Sequence, residues 1–193
     1  MLSQFDLVVI GAGPGGYVAA VRAAQLGLKT AVVEKEKPGG VCLNWGCIPS
    51  KNLIHQAEVF HSLKEMETVG VTVDRSGLDY AQVQANSRDV VKTLTGGVAG
   101  LLKKNKVELI AGSAKITGKG EVTVYAEVGS QKLKATHILV ATGSRPMEVP
   151  GFEFDEQLVL SSSGILAMQS LPSSLVILGA GAIGCEFAYV MNS

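Results

Sequence analysis

The chain has 193 residues and 20.1 kDa, with 47% hydrophobic and 18% charged residues, enough apolar mass for a substantial core and too much for disorder. Lys+Arg and Asp+Glu both number 17, and a zero balance argues against nucleic acid or an anionic membrane as main partner, since both demand a basic excess. Three cysteines are too few for a disulfide-stapled secreted scaffold, and 23 glycines without a three-residue period are backbone devices.

The opening residues carry no basic n-region. The apolar stretch from Leu7 to Val21 is broken by Gly11, Gly13, Pro14, Gly15 and Gly16, which suits neither a signal h-region nor a bilayer span. The sequence reads as soluble and cytoplasmic, with free thiols as the default state.

In chain order the pattern is α/β. Leu7–Ile10 is a short apolar run of the kind that forms a buried parallel strand. A glycine turn, Gly11–Gly16, leads into a helix over 17–27 that Gly27 stops. Lys29–Glu34 is a second strand, and residues 35–47 read as a loop holding Pro38, Gly39, Gly40 and Gly46. A helix is predicted from Ile48–Pro49 through the sixties, and another over 78–104, interrupted or ended near Gly96–Gly97. Val107–Ile110, Ala114–Ile116, Glu121–Tyr125 and Gln131–Lys134 suggest an antiparallel meander, followed by a buried strand at Thr136–Ala141. Residues 146–172 read as a linker with one short helix, and Ser174–Leu178 as a strand.

That last strand begins an internal repeat. Leu7-Val-Val-Ile-Gly-Ala-Gly matches Leu175-Val-Ile-Leu-Gly-Ala-Gly. The expected organisation is a Rossmann-type domain over 1–148 with a parallel sheet and a β-meander, a linker over 149–172, and the start of a second Rossmann-type domain over 173–193. The second unit lacks the strand needed to close it, so the chain is expected to be part of a longer one.

Gly11, Gly13 and Gly16 form G-x-G-x-x-G between strand and helix. In such a turn the first glycine makes the bend, the second admits a pyrophosphate, and the third lets helix and strand pack closely. Glu34, 18 residues after Gly16, is placed to accept hydrogen bonds from ribose hydroxyls. Gly179, Gly181 and Gly184 repeat the motif. Two such turns suggest two dinucleotides, a resident flavin and an exchanging nicotinamide.

Cys42 and Cys47 lie in Gly39-Gly-Val-Cys-Leu-Asn-Trp-Gly-Cys-Ile-Pro-Ser-Lys51. A Cys47 thiolate just before a helix is stabilised by the helix N-terminus, with Lys51 adding positive charge. A thiol five positions earlier can close a small, reducible ring. A zinc site and two unrelated buried cysteines compete with that reading; C-x4-C without a second Cys/His pair suits zinc poorly. His55 and His61, six apart on a helix, read as surface or packing residues, and His137 as structural. Cys185 reads as core, Trp45 as a loop anchor or a plate over a ring system, and Lys103-Lys-Asn-Lys106 as a solvated helix end.

Gly39–Lys51 resembles the active-site signature of the pyridine nucleotide-disulfide oxidoreductases. Gly11–Gly16, Glu34, Thr136–Gly143 and Gly179–Glu186 follow in that family's order, so the resemblance spans the whole chain. Ile48, Pro49, Ser50 and Lys51 after the second cysteine most resemble the dihydrolipoamide-oxidising branch, which serves 2-oxo acid dehydrogenase complexes; glutathione- and mercuric-reductase-like members using NADPH are the alternative. The resemblance implies FAD along Gly11, Gly13, Pro14, Gly15 and Gly16, with Glu34 and Lys35 at its adenosine ribose. Gly40, Val41, Cys42, Ala114, Thr142, Gly143 and Ser144 would complete that site. It implies a catalytic set of Cys42, which exchanges with substrate, Cys47, which faces the flavin, Lys51 near flavin N5, and Glu186 paired with Lys51. It further implies NAD at Gly179, Gly181, Ala182, Ile183, Gly184 and Glu186, no metal, a homodimer, and dihydrolipoamide on a lipoyl domain as partner. Members of the family are over twice this length and end in an interface domain. The expectation is therefore a catalytically incomplete FAD-binding piece, with the NAD or NADP discriminator beyond Ser193.

Overall fold

The computed structural model describes residues 3–193. They form two compact units, one from the chain up to Asn44 together with Lys92–Arg145, the other from Trp45–Val91 and Pro146–Ser193. This division by packing interleaves the chain.

The first unit is built on a six-stranded sheet in the order β3-β2-β1-β6-β5-β4. Its strands are β1 Ser3–Ile10, β2 Thr30–Glu34, β3 Glu108–Ala111, β4 Ser113–Gly118, β5 Glu121–Tyr125 and β6 Ser130–Val140. β1 runs parallel to β2 and to β6, with Val9 opposite Val32 on one side and Leu139 on the other. Burial explains the unbroken apolar runs: Val8, Val9 and Val32 are all 0% exposed, so both sheet faces are covered here. A continuous core cluster gathers Phe5, Val8, Val33, Val122, Val124 and Leu133. Helix α1, Pro14–Gln25, starts with Pro14 in its first turn, and Gly27 follows its end at φ +91°.

Four expectations are corrected. Residues 35–47 are not all loop: α2 spans Gly40–Trp45, because the Asn44 side-chain amide donates to the Pro38 and Gly40 carbonyls and closes one helical turn. Helix α4, Tyr80–Lys104, runs unbroken through Gly96 and Gly97. Two interior glycines weaken a helix by about 1 kcal/mol each, and burial of Val91, Val98 and Leu102 along one stripe outweighs that. β3 is not part of the antiparallel meander; it pairs parallel with β2, Ala31 opposite Glu108. Gln131–Lys134 and the run from Thr136 belong to one strand, β6, whose residues 130–134 pair antiparallel with β5 while its residues from Leu133 to Val140 pair parallel with β1.

In the second unit α3, Cys47–Glu65, begins where predicted. A 3-10 turn at Met66–Val69 follows, and α5, Ser162–Ala167, is capped by the Ser161 hydroxyl, which accepts from the Ser163 and Gly164 amides. The core of this unit gathers Leu53, Ile165, Leu166 and Phe187. The strand predicted at Ser174–Leu178 does not form. Among the described residues nothing pairs with it, and a strand without a ladder partner has unsatisfied backbone groups that water serves better; Val176 is 93% exposed. The helix after it, α6 Ala182–Asn192, does form. Cys185 is exposed rather than core, because Phe187 turns inward and Cys185 stands about 200° away around the helix. No helix among the described residues is long and apolar enough to cross a membrane.

Candidate active site

The turn after β1 shows why each glycine is there. Gly11 has φ +103°, and a Cβ would lie 2.2 Å from the Ala141 carbonyl oxygen. A Cβ on Gly16 would lie 1.8 Å from the Gly11 oxygen, so helix and turn pack too closely for any side chain. Gly13 differs. Its φ of −71° suits any residue, and its Cβ would meet only Gly40 Cα at 3.8 Å. Gly15 would meet nothing within 4 Å. The fold demands Gly11 and Gly16 but leaves space at Gly13 and Gly15, at the N-terminus of α1, where unpaired amides favour an anion.

Glu34 closes this turn from the end of β2. Its carboxylate accepts the Ala12 amide at 2.7 Å and the Glu36 amide at 2.9 Å. A carboxylate has about four lone-pair sites, so acceptor capacity remains. Gly39 N–H donates to Ala12 O at 2.8 Å, and Gly40, at φ +57°, lies so close that a Cβ would be 2.7 Å from Gly13 Cα. The start of α2 thus sits on the glycine turn, with Val41 and Cys42 directly after it. Ala141 N–H donates to Ile10 O at 2.8 Å, so Thr142 leaves the sheet beside Gly11, and Gly143 and Ser144 follow in the open. Gly112 N–H donates to Glu34 O at 2.9 Å, which brings Ala114 on β4 toward the same end of β2. Lys35 is exposed there. This unit therefore gathers Gly11–Gly16, Glu34, Gly40 and Thr142 at the C-terminal ends of the parallel strands β1, β2 and β6. Sequence reasoning missed Arg145, which forms an ion pair with Glu36.

Cys42 and Cys47 are joined as a disulfide. Neither thiolate is then left for zinc. Gly46 separates α2 from α3, and Cys47 is the first residue of α3, with the Gly46 carbonyl accepting from Ser50 N at 3.0 Å. Cys47 thus stands at the N-terminus of α3. Residue Cys47 is exposed and Cys42 partly buried.

In the second unit Lys51 forms an ion pair with Glu186 on α6. Lys51 is one turn beyond Cys47 and shares its face of α3. Trp45 carries the guanidinium of Arg88 over its ring, 4.5 Å from the centroid; no sequence signal links two residues so far apart. His55, His61 and His137 are exposed. The second glycine motif repeats the first in backbone detail. Gly179 has φ +110°, Gly181 caps α6 at φ −77° and ψ 179°, and a Cβ on Gly184 would lie 2.3 Å from Gly179 O. Gly181, like Gly13, leaves open space.

The family model for pyridine nucleotide-disulphide oxidoreductases matches residues 5–193. The chain is 49% identical over 183 residues to a dihydrolipoyl dehydrogenase of Bacillus subtilis, covering 95% of this chain and 39% of that protein. It is 45% identical over 189 residues to a dihydrolipoyl dehydrogenase of Zymomonas mobilis, covering 97% and 41%. The HOCl-induced flavoprotein disulfide reductase RclA of Escherichia coli has a solved structure with a TM-score of 0.81 at 28% identity, over 96% of this chain and 39% of that one. The chain spans about two-fifths of the length of the curated relatives it matches. With its two glycine turns and its C-x4-C disulfide, the chain belongs to the pyridine nucleotide-disulphide oxidoreductase family.

Proposed function

We propose that this chain is the flavin- and disulfide-bearing part of a dihydrolipoyl dehydrogenase, which oxidises dihydrolipoamide and delivers the electron pair to NAD. The observation that carries the reading is the Cys42–Cys47 disulfide at the start of α3, in a chain 45% identical to a dihydrolipoyl dehydrogenase over nearly its whole length.

FAD would lie along Gly11–Gly16, where Gly13 and Gly15 leave room, with Glu34 and Lys35 toward its ribose. Gly40, Val41, Ala114, Thr142, Gly143 and Ser144 would line it. A bound flavin would accept the electron pair from the thiol pair and pass hydride to a nicotinamide held at Gly179, Gly181, Ala182, Ile183 and Gly184. The chain's own residues do the thiol chemistry. A dihydrolipoamide thiolate attacks Cys42 Sγ, the S–S bond breaks, and Cys47 leaves as a thiolate stabilised by the amides of the α3 N-terminus. The second substrate thiolate attacks the mixed disulfide, expels Cys42 as a thiolate that takes up a proton, and releases lipoamide. Lys51 holds positive charge on the Cys47 face of α3, and Glu186 fixes where that charge sits.

In this reading residues 1–148 hold FAD, 149–172 link, and 173–193 open the nicotinamide domain. The whole enzyme is a cytoplasmic homodimer that takes its substrate from a lipoyl domain. The test is Cys42→Ser and Cys47→Ser in the full-length protein. Each abolishes lipoamide-linked NAD reduction, while flavin reduction by NADH survives. Normal turnover in either variant makes the pair structural and overturns the proposal.

A further inference from the structure

The disulfide ring contains the only tryptophan of the chain, Trp45, three residues after Cys42 and two before Cys47. Its ring is covered by Arg88 of α4 at 4.5 Å. The same turn of α4 grips the start of α3: Ser87, 2% exposed, donates its hydroxyl to the Pro49 carbonyl at 3.4 Å. One residue earlier, Asn86 donates to Gln56 Oε1 at 3.1 Å, and one turn earlier the Val83 carbonyl accepts from Gln56 at 3.1 Å. Arg88 is therefore presented by a helix fixed to α3, the helix that Cys47 begins. Burial lowers the Arg88 pKa from its ordinary value, yet a guanidinium stays charged at neutral pH, so the cation over the indole is permanent.

We propose that Arg88 is a positioning residue for the Cys42–Cys47 pair: stacked on Trp45, it holds the backbone between the two cysteines in the conformation in which the S–S bond closes. This rests on the redox reading of the pair given above. In the oxidised form the covalent ring already restrains residues 43–46, and the stack adds little. In the dithiol form the ring is open and those residues gain freedom. A cation on the indole removes part of that freedom and raises the effective concentration of one sulfur at the other. The stack thus stabilises the disulfide relative to the dithiol.

The test is the thiol–disulfide exchange equilibrium of the chain against dithiothreitol at fixed pH, read by thiol labelling. One dithiothreitol gives up two electrons and two protons and becomes its cyclic disulfide; the Cys42–Cys47 bond breaks and two thiols form. Arg88→Met should make the pair about two- to fivefold easier to reduce, the effect of losing one partly exposed cation–π contact. Trp45→Ala should give the same shift, and the double variant no more than either alone. Arg88→Lys and Trp45→Phe, which keep a cation over a ring, should stay near the parent value and serve as the variants least disturbed in folding. A merely structural Arg88 would lower the unfolding temperature and leave the exchange constant unchanged, which overturns this inference alone. A parent chain that never exchanges with dithiothreitol overturns the redox reading as well.

Discussion

The carboxylate of Glu34, at the end of β2, accepts the backbone amide of Ala12 at 2.7 Å, inside the glycine turn that follows β1. One acid thus does two jobs. It fixes the turn and, in the proposed function, keeps lone pairs for a ribose. Ala12 is 0% exposed, so its amide has no easy recourse to water. Glu34→Ala should destabilise the chain by about 1–3 kcal/mol, the cost of an orphaned buried donor. Glu34→Gln keeps one side-chain acceptor for two amides and should fall between. Urea unfolding measures this, and FAD titration should show weaker binding in both. An unchanged urea midpoint in Glu34→Ala would mean that the amide finds another partner.

The glycines divide into those the fold needs and those at which it leaves space. Gly16→Ala forces a Cβ to 1.8 Å from Gly11 O and should unfold the turn. Gly13→Ala meets only an ordinary contact at 3.8 Å. It should leave the unfolding temperature nearly unchanged while abolishing FAD binding, because the methyl would take the space that the proposed function gives to the pyrophosphate. Circular dichroism melts paired with flavin titration separate the two variants. A Gly13→Ala chain that still binds FAD tightly would remove the pyrophosphate from this turn.

The glycine turns were readable because each glycine answers a local steric demand, and β1 and β2 because burial on both faces needs unbroken apolar runs. What the sequence hid depends on partners far along the chain. α2 exists because the Asn44 side chain closes its turn. β3 is parallel because its neighbour is β2, and β6 is one strand because two different strands pair with its two halves. Ser174–Leu178 has the composition of a strand but no ladder among the described residues. Lys51 and Glu186 pair across 135 residues, which only the family resemblance anticipated, and nothing local announced Arg88 over Trp45.

The Tyr80 hydroxyl is buried with no hydrogen-bond partner among the described residues, and burial raises its pKa above the ordinary value. Tyr80→Phe removes an unsatisfied polar group and should stabilise the chain by about 1 kcal/mol. The pH dependence has a definite sign. With the folded pKa raised, the folded state keeps a proton that the unfolded state loses above about pH 10, so stability falls as pH rises through that range. Tyr80→Phe should lose this alkaline decline. Urea midpoints at neutral pH and above pH 10 measure both effects, and a destabilised Tyr80→Phe would show that the hydroxyl has a partner after all.

Lys51 and Leu53 lie two residues apart on α3 and should separate chemistry from stability. Leu53 is 1% exposed and packs in the cluster with Ile165, Leu166 and Phe187. Leu53→Ala should cost about 2–5 kcal/mol, transfer plus cavity. The Lys51 side chain is 60% exposed and that of Glu186 29%, and water screens such a pair until it contributes only about 0–1 kcal/mol. Lys51→Met should therefore melt within a degree or two of the parent. On the proposed function, the same variant in the full-length protein should slow lipoamide-linked NAD reduction at least tenfold, because it removes positive charge from the Cys47 face of α3, where that function puts a thiolate. Glu186→Gln keeps the cation but loosens it, and should slow turnover less. Unfolding curves and steady-state rates on the three variants decide the matter: a Lys51→Met protein that is stable and turns over normally would leave the ion pair without a catalytic part.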